Sequence, residues 1–388
     1  MIDNNNIPVG YKDTPVGIIP EEWEVYDLKE FAFLSKEKYE PSPLSLLHCV
    51  ELEHLSQGDG ILLGRTQVSL QKSTKNVFKK GDILFGKLRP YLRKYWMADF
   101  NGVCSSEIWV LKTNNKICIN EFLFRLVSSN RFIQRANVSI GSKMPRADWN
   151  FVSISPFALP PIAEQKKIAE ILCTWDDAIE KQSKLIEKLE FRKRGLMQRL
   201  LTGNTRLPGF TEPWKKIKLG DVCCIVTGRL DANAMVSNGE YPFFTCAKEV
   251  YKINNYSFDT EALLVSGNGE YVGYVHYYKG KFNAYQRTYV LDGFNCNIFY
   301  MYYALKQYLP KRIMRTKSNS NTPYIVKDTL FDMELLLPSD VEQKLIAKLI
   351  SSADKEIETQ RKKLEALRQQ KQGLMQQLLT GKTRVKVS

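Results

Sequence analysis

LPPIAEQKKIAEILCTWDDAIEKQSKLIEKLEFRKRGLMQRLLTGNTR, residues 159–206, returns as LPSDVEQKLIAKLISSADKEIETQRKKLEALRQQKQGLMQQLLTGKTR, residues 337–384. The offset is 178 throughout, no gap is needed, and 25 of 48 positions are identical. An ungapped match of that length marks an internal duplication, and the rest of the chain is read around it. Each copy opens on Leu-Pro, and proline cannot sit inside a helix without cost. Each closes on Thr202-Gly203 or Thr380-Gly381, glycine being common just past a helix end. Between these limits mostly apolar seam positions recur in alternating fours and threes. In the first copy they are Ile168, Leu172, Trp175, Ile179, Gln182, Ile186, Leu189, Lys193, Leu196 and Leu200. In the second they are Ile346, Ile350, Ala353, Ile357, Gln360, Leu364, Leu367, Lys371, Leu374 and Leu378. That 3.5-residue period predicts two coiled-coil helices, each a rod of roughly 55–60 Å at ~1.5 Å per residue.

Two polar residues interrupt the seam near its centre. If the helices pair antiparallel, Gln182 and Gln360 meet, and a polar layer there sets the register at some cost in stability. The alternative is two unrelated surface glutamines. Lys193 and Lys371 are expected nearer the ends, with packed stems and heads in water.

The segments before each rod correspond more loosely. Ile19-Pro-Glu-Glu-Trp23 with Leu28 answers Phe210-Thr-Glu-Pro-Trp214 with Leu219, and Val110-Leu111 answers Val290-Leu291 at an offset of 180. Gly81-Asp-Ile-Leu-Phe85 and Glu261-Ala-Leu-Leu-Val265 both read as buried strands. The expected fold is α+β: two mixed α/β domains joined by two long helices in an antiparallel coiled coil, a pseudo-twofold repeat. The segments are 1–158, a first domain; 159–206, the first helix; 207–336, a second domain; and 337–388, the second helix. Rods kept alike beside domains that drifted suggest one shared function and two specificities.

The composition is that of a globular protein, with 44% hydrophobic and 25% charged residues. Its balance is basic, +14 from 56 Lys+Arg against 42 Asp+Glu, which suits a polyanionic partner. Eight cysteines without a C-x-x-C and three scattered histidines argue against a metal site. Reduced cysteines, a polar start and no long apolar run point to the cytoplasm, with no membrane partner. No catalytic residue is assigned. There is no Asn/Asp-Pro-Pro-aromatic loop, no phosphate-binding G-x-x-x-x-G-K-[ST], and Gly267-x-Gly269-x-x-x-Gly273 is one residue too long for a dinucleotide turn. Asp340, Glu342 and Lys344 resemble a metal-nuclease triad, but Glu-Gln-Lys recurs at 164–166 without the aspartate. Both copies open a helix, where a first-turn glutamate is favoured by the backbone dipole.

Basic residues cluster in stretches suited to a polyanionic partner such as nucleic acid. Lys75–Trp96 holds Lys75, Lys79, Lys80, Lys87, Arg89, Arg93 and Lys94 against Asp82, with Tyr91, Tyr95 and Trp96 interleaved. Such a segment neutralises phosphates, and arginine can grip guanine with two hydrogen bonds. The candidates are Lys87, Arg89, Tyr91, Arg93 and Lys94, with Ser142, Lys143 and Arg146 on a second loop. A solvated basic face is the competing reading of any one of them. In the second domain Gly267-Asn268-Gly269 takes the place of Lys87-Leu88-Arg89, and Asn268 could read adenine. Lys279, Lys281, Gln286 and Arg287 are further candidates. Lys306–Lys317 adds phosphate-binding candidates in Arg312, Arg315 and Lys317, and Asn319 and Asn321 lie in a polar loop. Different residues at matched positions predict two different binding specificities.

The twin Leu-Pro…Glu-Gln-Lys…Gly-Leu-Met-Gln…Leu-Leu-Thr-Gly helices, Gly81-Asp-Ile-Leu-Phe-Gly-Lys-Leu-Arg-Pro-Tyr91, Gly102-Val-Cys-Ser-Ser106, Tyr241-Pro-Phe-Phe-Thr-Cys-Ala247, Ser266-Gly-Asn-Gly269 and Phe282-Asn-Ala-Tyr-Gln-Arg287 resemble the specificity subunit of type I restriction-modification systems. The resemblance covers nearly the whole chain. It implies two target-recognition domains, each reading one half of a split double-stranded DNA site, spaced by the conserved helices. It implies two methyltransferase subunits docked on the helices and bringing S-adenosylmethionine, with restriction subunits using ATP and Mg joining in some members. This chain itself would bind no cofactor and catalyse nothing. Rival readings are a stand-alone sequence-specific DNA-binding protein, a coiled-coil scaffold, and a fused enzyme.

Overall fold

A computed structural model describes residues 7–138, 144–316 and 323–386. The chain forms two compact units. The first comprises residues up to Lys181 together with those from Leu364, and the second comprises Gln182–Lys363. The boundary falls inside both long helices, so each unit holds one domain and half of each helix.

The duplicated stretches are helices Ile162–Leu201 and Asp340–Leu379, each of 40 residues. Inside the first unit, Ile168 and Leu172 share a buried cluster with Leu378 and Leu379, and Asp176 bonds Lys371. Inside the second, Met197, Leu200 and Leu201 share one with Ile346 and Ile350, and Lys193 bonds Asp354. In both units rising numbers on one helix meet falling numbers on the other, which is antiparallel pairing. The seam residues read from the 3.5 period are buried or half-buried. At the polar layer Gln182 Nε2 donates to Gln360 Oε1 at 2.8 Å and to the Gln360 carbonyl at 3.1 Å. Lys193 and Lys371 depart from the expectation of heads in water. Their side chains are only 19% and 18% exposed, because Asp354 and Asp176 receive them.

Each unit carries a sheet of the same order. In the first, Tyr95–Met97, Ile83–Gly86, Ile108–Thr113 and Ala32–Leu34 lie side by side. In the second the order is Val275–Ala284, Phe258–Ser266, Thr288–Asp292 and Cys224–Thr227. A separate five-stranded sheet of the first unit contains a parallel pair, Val103 against Cys49. Its counterpart, Asn283 against Phe243, belongs to the same sheet as the rest, because the long strands Phe258–Ser266 and Val275–Ala284 run through both regions. Apolar, β-branched and aromatic residues fill these strands, as half-buried pleated surfaces favour. In the first unit Phe85 packs edge-on to Phe132 at 5.1 Å between ring centres, fixing the strand that leads into the candidate DNA-facing turn.

Candidate nucleic-acid interface

In the first unit, strand Ile83–Gly86 enters a turn at Lys87 and returns as Tyr95–Met97. Main-chain bonds hold that turn. Gly86 N donates to Lys94 O at 2.8 Å, Lys87 N to Glu107 O at 2.9 Å, Arg89 N to Pro145 O at 2.8 Å, and Ala147 N to Lys87 O at 2.8 Å. Arg89 (φ 52°) and Arg93 (φ 51°) are left-handed, the only described non-glycine residues with positive φ. A side chain raises the energy of that conformation by about 1–2 kcal/mol. Strain of this kind gathers at functional sites.

The second unit repeats the turn bond for bond. Ser266 N donates to Tyr274 O at 2.9 Å, Gly267 N to Arg287 O at 2.9 Å, Gly269 N to Pro323 O at 3.0 Å, and Ile325 N to Gly267 O at 2.8 Å. Its left-handed corners are Gly269 and Gly273, both at φ 81°, matching Arg89 and Arg93 at an offset of 180. The correspondence of 87–89 with 267–269 is legible in the sequence, whereas the second corner and Tyr271, the counterpart of Tyr91, emerge from the structure. The shared tyrosine at offset 180 was the available signal. Tyr271 carries the Lys248 ammonium over its ring at 4.7 Å, and its hydrogen bond with Glu270 raises its phenol above the ordinary tyrosine range.

The candidates divide by what holds them. Arg89 and Tyr91 are exposed, and Arg89 has no side-chain hydrogen bond or ion pair among the described residues. Lys87 is half-buried. Arg93 donates to Asn130 Oδ1 at 2.6 Å, Lys94 Nζ to Leu52 O at 2.5 Å, and Arg146 Nε to Glu107 Oε2 at 3.0 Å. Asn268 sits in the second turn bridged to Tyr324, with exposed Gln286 and Arg287 beside it. Lys279 and Lys281 lie elsewhere, opposite Glu261 and Asp259 on the ladder that runs away from Ser266. At ~3.4 Å per residue, Glu261 is roughly 17 Å along the strand from Ser266. Lys279 faces Glu261 at 3.7 Å, and Lys281 lies over Tyr256 at 4.7 Å. Arg312 Nε donates to Thr329 O at 2.7 Å, while Arg315 is exposed near the end of helix Ile298–Thr316. Ser142, Lys143, Lys317, Asn319 and Asn321 lie outside the described residues.

Two members of the basic runs do not face solvent. Lys75 is 3% exposed and pairs with Glu51 at 2.7 Å. Lys306 turns onto Tyr302, its ammonium 4.1 Å from the ring centre, and burial lowers its pKa. Helix and strand periodicity, not local charge, decides which way these side chains point.

The Glu-Gln-Lys motifs resolve into structural clamps. Glu164 is 2% exposed and accepts Trp23 Nε1 at 3.0 Å and both Arg384 Nε and Nη2. Glu342, fully buried, accepts Trp214 Nε1 at 3.0 Å and Arg206 Nε and Nη2 at 2.8 and 2.9 Å. Both glutamates stand in first helical turns, but their tryptophan and arginine partners add more than the helix dipole alone. Gln165 and Gln343 likewise bind the carbonyls of Pro160 and Pro338. A carboxylate held by arginine and tryptophan in each repeat is a fastener, not a metal site. No group of three His, Cys, Asp or Glu fit to hold a metal occurs among the described residues.

Two domains with one turn design and different side chains, each packed on halves of paired helices, define a duplicated recognition protein. The model of the type I restriction modification DNA specificity domain matches residues 20–190 and again 211–369. The chain belongs to that family, whose members are non-catalytic recognition subunits. It is 40% identical over 167 residues to the type I restriction enzyme EcoDI specificity subunit of Escherichia coli, a match spanning 43% of this chain and 37% of that protein. It is 24% identical to the MjaVIII specificity subunit of Methanocaldococcus jannaschii over 95% of this chain and 94% of that one. Among solved structures, a chain from a type I restriction-modification system described for its assembly and conformational transition has TM-score 0.63 at 18% identity, covering 94% of this chain and 99% of its own. The S subunit from M. genitalium gives 0.59 at 16%, covering 92% and 96%. These two show the fold. No described helix is long and apolar enough to cross a membrane.

Proposed function

We propose that this chain reads a split double-stranded DNA site in the cytoplasm, one half through each domain, and carries two methyltransferase subunits on its helices. The observation that carries this reading is the turn built twice on the same main-chain bonds with different side chains. Residues 1–158 and 207–336 act as the target-recognition domains, and 159–206 and 337–388 as the spacer helices. Arg89, Tyr91 and Lys87 contact DNA in the first half, and Asn268, Gln286 and Arg287 in the second. Arg146, Arg315 and the basic residues around them contact phosphates, which contribute affinity without sequence information. S-adenosylmethionine enters with the methyltransferases, and ATP and Mg with restriction subunits where these join.

Docking on the helices has its own support. Glycine inside a helix costs about 1 kcal/mol relative to alanine. Nothing lies within 4 Å of a Cβ built on Gly195 or Gly373, so packing within the chain does not require either. Close approach of a partner's backbone explains both. Each unit also has a hollow at the matched place, lined by Met97, Phe124 and Cys173 in the first and by Tyr277, Tyr302 and Ser351 in the second.

The test is co-expression with the methyltransferase encoded beside the chain, followed by mapping of every modified base in the host genome. One split motif with a constant unspecified spacer supports the reading. Assembly of the complex without new methylation refutes it.

A further inference from the structure

The two left-handed corners of the turn differ in what they allow. At the second corner, a Cβ on Gly273 would stand 2.5 Å from Ile313 Cδ1, so a side chain there must first displace the tip of that isoleucine. At the first corner nothing lies within 4 Å of a Cβ built on Gly269. The counterpart, Arg89, already bears a long cationic side chain there at φ 52°. Arg89 and Gly269 each sit one residue beyond a main-chain bridge, Leu88 to Arg146 and Asn268 to Tyr324. The bridge fixes the backbone without help from the corner's side chain, and the residue two positions on is a tyrosine in both. The frame therefore presents whatever the corner carries, and only the strain of a left-handed residue penalises filling it.

We infer that the first left-handed corner, residue 89 in one domain and 269 in the other, is a specificity-determining position. A side chain placed at Gly269 is offered to DNA as Arg89 is. The class of ligand is the base edge in the major groove, where an arginine selects guanine through two hydrogen bonds. With glycine at the corner, the second domain reads through the flanking Asn268, and Tyr271 with Lys248 borders the same surface. This inference rests on the DNA-reading function proposed above.

The experiment is Gly269→Arg in the full chain. It is read by selection from a random-sequence duplex pool and, in the complex with its methyltransferase, by the map of modified bases. The expected result is a changed second half-site, with a guanine gained or required at one position by ~10-fold or more, and an unchanged first half-site. Asn adopts the left-handed region more readily than most residues, so Gly269→Asn is made alongside. If the arginine variant does not fold, the asparagine variant must change the second half-site on its own. A folded variant that selects the wild-type motif overturns the inference, as does a change confined to the first half-site. If the wild-type chain selects no sequence at all, the DNA-reading function itself fails, an outcome distinct from an unmoved motif.

Discussion

Arg89 carries two opposed effects that one substitution separates. In Arg89→Gly the left-handed corner loses its side chain. Relief of strain amounts to about 1–2 kcal/mol, and the extra freedom of glycine in the unfolded chain takes back about 0.5–1 kcal/mol. No side-chain bond within the described residues is lost. The variant should therefore be more stable, by up to about 1.5 kcal/mol, a Tm rise of up to roughly 6 °C for a unit of this size. Its DNA affinity should move the other way. A two-pronged arginine contact discriminates by about 1–3 kcal/mol, so binding of the selected duplex at constant salt should weaken roughly 5- to 150-fold, with the other half-site's preference untouched. Calorimetry of the full chain and anisotropy with labelled duplex read the two effects. A variant that melts earlier, or that binds its duplex as tightly as wild type, refutes the argument. Arg93→Gly is the control, since loss of its bond to Asn130 offsets the same relief.

Three further outcomes follow from the geometry. Glu342→Ala removes the acceptor of Arg206 and Trp214 Nε1, and loss of the charged hydrogen bond to the tryptophan should destabilise the second unit by about 1.5–3 kcal/mol, seen in the urea midpoint. Gln182→Leu alone leaves the Gln360 amide without its bond and should lower stability by about 1–3 kcal/mol; Gln182→Leu with Gln360→Leu should recover or exceed wild type, and a double variant less stable than either single would remove the polar-layer argument. Burial lowers the His276 pKa, against the hydrogen bond to Ala247 O. Because the unfolded chain takes up this proton first, the stability tied to it is present above about pH 6.5 and declines as pH falls through that value. The slope between pH 5 and 6.5 should flatten in His276→Gln, and an unaltered slope would show that other groups set it.

The long helices were legible because a 3.5-residue period and a matched repeat are strong local signals. The turn at 87–89 was legible from basic residues and its counterpart at 267–269 from glycine. What the sequence concealed was direction. Lys75 and Lys306 lie in basic runs yet point inward, and Lys279 and Lys281 lie near Arg287 in number but along the far part of a strand. Lys193 and Lys371 meet aspartates on the opposite helix, a contact that periodicity alone does not reveal. The role of Glu164 and Glu342 depended on Arg384 and Arg206, whose distance along the chain, 220 and 136 residues, hid the pairing.

The division of the chain also sets an order of assembly on the ribosome. Domains usually fold as they emerge, N-terminal first, at about 5–20 residues per second. Here the second unit is one continuous segment, while the first lacks residues from Leu364 onward until about 180 more have been made after Lys181, roughly 10–35 s of synthesis. Through that interval Ile168 and Leu172 have no opposite helix and Glu164 has no Arg384. The domain that starts first is therefore completed last, and for that time its bare helical seam is the surface a chaperone or an early-bound partner would meet.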